Sequence, residues 1–193
     1  MADSGALGKI VHLEGAMSGP PSTGPRPRGA WRAVREENPG GAMTAKGIHI
    51  VDQMLWFGGH IDSVFAHSDR RLPEYAPLDD TASMLFHFKS GVTGTLSSIF
   101  ATAEFWRLHV FGAKGWVHAL GESTLVTCET GGKPQTKEYP PDFDSVRAAL
   151  EGFADAVSGA KPYVVALEDA INSSAVLEAI QRSADSHAPI AIA

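Results

Sequence analysis

Hydrophobic positions along the chain change their period twice. Ile48, Val51, Met54 and Leu55 recur at helical spacing, which predicts a helix over residues 43–56 that Gly58 and Gly59 stop. Alternation then takes over. Residues 61–66 alternate, and Ala82, Met84, Phe86 and Phe88 alternate with Ser83, Leu85 and His87. Lys89-Ser90-Gly91 fits a hairpin turn leading into a strand over residues 92–100. Trp106, Leu108 and Val110 mark another strand, closed by Gly112-Ala113-Lys114-Gly115. Residues 116–120 and 123–129 read as two more, followed by a turn at Gly131-Gly132. The last third returns to helical spacing. Val146, Ala149, Leu150, Phe153 and Val157 form an apolar stripe that ends at Gly159. Ala170, Ser174, Leu177, Ile180 and Ala184 predict the buried side of a second helix over residues 168–186, and residues 189–193 a last short strand. A run of strands flanked by helices predicts an α+β fold: an open, mostly antiparallel sheet with helices packed on one face.

The front of the chain breaks this regularity. Residues 9–15 suggest a strand, but residues 15–41 hold five of the 12 prolines, so neither a helix nor a central strand can propagate there. A long irregular loop is expected. The chain then reads as one domain over residues 1–193, with a strand and Pro/Gly-rich loop to residue 41 and the helix, sheet and C-terminal helices in 42–193.

Composition narrows the function classes. With 44% hydrophobic residues the chain can bury a core, and a net charge of -6 supplies no footprint for nucleic acid or an anionic membrane. No apolar run is long enough to span a membrane. The first nine residues lack a basic start and an apolar stretch, so no secretory signal is expected and the cytoplasm is the expected compartment. Cys128 is the sole cysteine, which rules out an internal disulfide and a Cys-rich zinc site. His60, Asp62 and His67 lack a fixed third ligand, so no metal is expected. Neither Gly-x-Gly-x-x-Gly, a P-loop nor Gly-x-Ser-x-Gly occurs; the chain by itself is expected to bind no dinucleotide and to be no serine hydrolase.

The stretch Gly40-Gly41-Ala42-Met43-Thr44-Ala45-Lys46-Gly47-Ile48-His49-Ile50-Val51-Asp52 carries the most chemistry. Positions 45, 49 and 52 are four and three apart and share one helix face. A histidine there can take a proton from a substrate hydroxyl while hydride leaves the same carbon. His49 is the candidate catalytic group and Lys46 a further candidate toward substrate; Asp52 reads as a structural partner by capping or pairing. Trp31 and Arg32, at the end of the Pro/Gly loop, are candidates for a substrate pocket, the arginine as a clamp on a carboxylate or hydroxyl. The plainer readings are a hydrogen-bonded core histidine and a surface aromatic beside a solvated charge.

That stretch resembles the Gly-Gly-x-x-x-Asp-x-x-x-His-x-x-Asp segment of the glucose-fructose oxidoreductase/inositol dehydrogenase/rhizopine catabolism family (Gfo/Idh/MocA). Trp31-Arg32 before it, Asp80-Thr81-Ala82, Gly94-Thr95-Leu96, Arg107-Leu108-His109-Val110-Phe111-Gly112 with Gly115-Trp116, Phe153-Ala154-Asp155-Ala156-Val157 and Val176-Leu177-Glu178-Ala179-Ile180 extend the likeness from about residue 9 to the C-terminus. The resemblance implies the C-terminal domain of a two-domain oxidoreductase. Its missing N-terminal Rossmann domain would bind NAD or NADP and supply a lysine within Glu-Lys-Pro. The one Lys-Pro pair here, Lys161-Pro162, follows Ala160. Where the family pattern has an assisting Asp, this chain has Ala45.

Three readings follow. The first is the substrate-binding and catalytic-histidine domain of an NAD(P)-dependent oxidoreductase acting on a small sugar-, polyol- or hydroxy-acid-like substrate, inactive without its cofactor domain. The second is a non-catalytic ligand-binding or assembly module of the same fold, and the third a metal-assisted hydrolase using His49, Asp52 and His60. The parent reading frame upstream of Met1 separates the first two. The strand block has large apolar groups on both faces, Met84, Phe86 and Phe88 against Leu85 and Ile99, and helices are expected on one only. A homodimer, or a tetramer of dimers, through the bare face is expected.

Overall fold

The computed structural model describes residues 5–20, 31–140 and 143–192. Nine strands form one sheet: β1 (Ile10–Ser18), β2 (Ile61–Asp69), β3 (Thr81–Phe88), β4 (Thr93–Ile99), β5 (Phe105–Gly112), β6 (Gly115–Leu120), β7 (Thr124–Glu129), β8 (Gln135–Glu138) and β9 (Ile190–Ala191). Their order is β8-β7-β6-β5-β1-β4-β3-β2-β9. Every pairing is antiparallel except β1 with β4. The helices are α1 (Ile48–Gly58), α2 (Ser145–Val157) and α3 (Leu167–Ser186). The α+β, mostly antiparallel fold class is as the alternation implied.

The core lies between the sheet and two of those helices. Leu13, Val64, Met84, Phe86, Phe88, Leu96 and Val110 face Ile50, Val51, Met54, Val176 and Ile180. Gly15 shows why the helix seats so closely. A Cβ there would collide with the side chains of Ile50 and Met54. Gly15→Ala is therefore expected to destabilise the domain by ~1–3 kcal/mol, the cost of overpacking a filled core, read as a lower urea midpoint at unchanged slope.

Several expectations need correction. The first strand does not stop at Gly15 but runs to Ser18, and β2 continues to Asp69. The rest of the expected Pro/Gly loop falls largely on residues 21–30, outside the described residues. β8 had no sequence signal, because its four residues are all exposed and polar or charged. In α3, Ala170 and Ser174 are exposed, and the buried side is set by Asn172, Ser173, Val176, Ala179, Ile180, Ser183 and Ala184. The reason lies in β2, which the short β9 pairs only at Ser63 and Val64. Asn172 Oδ1 accepts from the Ile61 amide at 3.2 Å and Ser183 Oγ from the Ala66 amide at 2.9 Å. Polar residues thus occupy the buried side because they satisfy strand amides that would otherwise be orphaned. The second correction concerns α2. It forms over the stripe expected, but Val146, Leu150, Phe153 and Val157 are 59–74% exposed and it seats on no strand.

Among the described residues, no helix covers the opposite face of the sheet. One row of registered positions crosses it: Val126, His118, His109, Glu14, Thr95, Leu85 and Phe65. His109 and His118 stack with ring centroids 4.5 Å apart, and Phe111 stacks on His109 at 3.9 Å. Neither histidine Nε2 has a hydrogen-bond partner among the described residues. Burial, then the neighbouring His118 and Arg107, push the His109 pKa down to about 4, against the pull of Glu14. His118 is lowered too, chiefly by burial.

Candidate active site

The helix that carries His49 starts abruptly, and its anchoring is legible residue by residue. Gly41 has φ +50 and its Cα lies against the Asp79 carbonyl, where a Cβ has no room. The Ala42 amide donates to that same carbonyl at 3.2 Å. Ser98 Oγ donates to the Ala42 carbonyl at 2.8 Å, tying the turn to β4. Asp79 is itself held by Arg35 at 3.2 Å and by Ser68 Oγ at 2.9 Å, and Arg35 also reaches Asp185 near the end of α3. The double glycine is a backbone fitting that fixes where the helix begins.

From there the chain makes one π-helical turn, Met43–Gly47, before α1. Such widened turns displace the following side chains relative to a regular helix and recur at functional sites. The expected single helix over residues 43–56 is therefore two pieces, with Ile50, Val51, Met54, Leu55 and Gly58 on the buried side of the second. His49 emerges exposed, with Asp52 half-buried one turn on and Trp56 exposed beyond it. The core-histidine reading of His49 does not hold for this geometry.

Electrostatics ties Asp52 into a small acidic and basic group. Its carboxyl is held above the usual carboxylate range, first by burial and then by Asp169, while His49 pulls the other way. Asp169 meets His60 at 3.3 Å. A raised pKa in the folded state means the charged carboxylate costs stability, a cost that fades as falling pH protonates it. Asp52→Asn removes that cost. Its Tm is expected to rise by a few degrees at pH 7 in calorimetry, and the gap to the native protein to close in acid.

Lys46 lies over the end of β1. A methyl group at Gly19 would sit 3.1 Å from Lys46 Nζ and 2.8 Å from Glu104 Cγ. Glu104, on the β4–β5 connection, has no sequence signal of its own; the antiparallel pairing of Ser18 with Phe105 brings it against Gly19, which Lys46 also approaches. Gln53, four residues after His49, has a shielded Oε1 without a donor among the described residues. Trp31 is 59% exposed in the short helical turn Trp31–Ala33. Of Arg32 only its place in that turn is described. The structure thus gathers Lys46, His49 and Asp52 on one helix segment, with Trp31 and Arg32 reached through the turns that precede Gly41. His60 and Asp62 pair with Asp169 and His87 respectively, and no three metal-ligating side chains gather among the described residues. No helix among the described residues is long and apolar enough to cross a membrane.

This is an open-sheet α+β domain presenting a histidine-bearing helix. Residues 1–118 match the GFO/IDH/MocA C-terminal domain, and the chain belongs to that family. A comparison with curated proteins finds no match. Among solved structures it is similar to levoglucosan dehydrogenase in complex with NADH and L-sorbose, with TM-score 0.87 and 15% identity over 100% of this chain and 61% of that one. Aldose-aldose oxidoreductase from Caulobacter crescentus, complexed with glycerol, aligns with TM-score 0.82 and 22% identity over 98% of this chain and 57% of the other. An NAD binding oxidoreductase from Klebsiella pneumoniae gives TM-score 0.82 and 18% identity over 99% and 61%. The chain spans about three-fifths of the length of these neighbours.

Proposed function

We propose that this chain is the substrate-binding and proton-transferring domain of an NAD(P)-dependent oxidoreductase. Its substrate carries a hydroxyl or carbonyl group of the sugar, polyol or hydroxy-acid kind. The observation that supports this most is the exposed His49 on a helix anchored at its start, with Lys46 three residues before it. His49 takes the proton from the substrate hydroxyl in oxidation, or returns it in reduction. Lys46, Trp31 and Arg32 hold the polar substrate, and Asp52 supports the histidine from within the helix. Neighbouring structures titled as NADH complexes support the choice of cofactor class. Small polyhydroxylated molecules in two of the neighbouring structures, L-sorbose and glycerol, support the substrate class.

The residues of this chain do not form a dinucleotide site. No two of its glycines stand two residues apart, so no Gly-x-Gly-x-x-Gly turn exists at any strand–helix junction. The cofactor belongs to a separate nucleotide-binding domain. Titrating NADH or NADPH with the purified chain is expected to give no saturable fluorescence change, and saturation at low micromolar concentration would contradict the assignment.

A second reading keeps the fold without the chemistry: a module that binds a small polar ligand or assembles with a partner. Ala45, in place of the acidic residue of the family pattern, favours it. Turnover by the two-domain protein with and without His49 separates the two. In either reading the chain acts in the cytoplasm and pairs through the uncovered face of its sheet.

A further inference from the structure

An amphipathic helix of 13 residues is marginal in water unless its apolar side is buried. Among the described residues, α2 keeps its apolar stripe exposed. Its start is well made, with Asp144 accepting from the Arg147 amide at 2.9 Å, yet its entire apolar stripe is exposed. The surface continues past the helix. Tyr163 packs edge-on against Phe153, and the opening turns of α3 add Leu167 at 71% and Ile171 at 60% exposure. An exposed apolar helix stripe, with further exposed apolar side chains in the segment that follows it, marks an interface.

We propose that Leu150, Phe153 and Val157 of α2, with Leu167 and Ile171 of α3, form the docking surface for the nucleotide-binding domain. This rests on reading the chain as the substrate-side half of an oxidoreductase. Three observations select that occupant over a second copy. The solved neighbours that this chain matches over nearly its whole length carry additional chain beyond the match, at least 39% of their own length. The start of α3 lies beside the candidate site, since Asp169 meets His60 and acts on Asp52. A domain that brings a cofactor to His49 must therefore rest on those turns. Finally, α3 covers the inner face of the sheet, so a second copy seated on the outer face leaves this surface free.

The test is a photo-cross-link made in the protein as its own host produces it, from the complete reading frame. Phe153 and Leu150 are each replaced by p-benzoylphenylalanine, and the products are mapped by mass spectrometry. Cross-links into a domain bearing a Gly-x-Gly-x-x-Gly turn, in the same polypeptide or a partner, are the expected result. They should be lost in a protein that also carries Leu167→Asp and Ile171→Asp. Both positions are exposed, so the melting transition of the sheet should not move. Cross-links into α2 or α3 of a second copy would overturn the proposal, and so would their complete absence. The readout is independent of catalysis. A His49→Ala protein with normal turnover would remove the proton-transfer reading and leave these cross-links unchanged.

Discussion

Replacing His49 with alanine in the two-domain protein lowers turnover about a hundredfold or more, the range for losing a positioned general acid or base. The expectation rests on exposure as much as on residue type. His49 lies on the solvent side of α1 and adds nothing to the core, so its loss should leave the melting temperature close to that of the native chain. Two measurements check this: steady-state rates on the native substrate, and a thermal scan of the same preparation. A fall in rate with an unchanged transition supports proton transfer. Unchanged turnover removes His49 from the site.

In light scattering at neutral pH and micromolar concentration, the chain is expected to have twice its 20.4 kDa mass or a higher even multiple. The outer sheet face carries Leu85 at 57% and Phe65 at 40% exposure, and on the same face further along the sheet the stacked His109, His118 and Phe111. Leu85→Arg together with Phe65→Arg should yield a monomer that stays folded, since neither residue belongs to the core. Acid should lower the folding stability of the native chain. His109 is held neutral down to about 4, so the folded chain binds fewer protons than an unfolded one, in which histidine titrates near its ordinary value of 6.5. The contribution of the neutral ring is therefore complete above about pH 6.5 and is lost as pH falls from there toward 4. His118 shifts in the same direction and adds to the effect. A monomer at neutral pH would refute the pairing, and His109→Phe should blunt the acid sensitivity.

Much of the architecture was legible in the alternation of residues 82–88 and its neighbours. A period of two with one apolar side admits only a strand with one buried face, and the glycine turns divide such stretches into hairpins. The motif around Gly40-Gly41 and His49 was legible as well, because it rests on residue types at set spacings. What the motif could not disclose is why its glycines are there. The steric need at Gly41 comes from the Asp79 carbonyl, 38 residues away in the chain.

Sequence by itself determined the α+β class, the position of the histidine-bearing helix, and the absence of a dinucleotide turn, because each is a local property of spacing and residue type. Tertiary structure decided the rest. It put polar Asn172 and Ser183 on the buried side of α3, since the strand amides they satisfy belong to β2. It brought Glu104 and Lys46 to the same glycine, Gly19, through the β1–β5 pairing, and inserted the π turn ahead of α1. It left the stripe of α2 in solvent although its period is that of a buried helix. Periodicity records which side of a helix is apolar; the partner that covers that side is a matter of three-dimensional placement, and among the described residues the stripe of α2 is exposed.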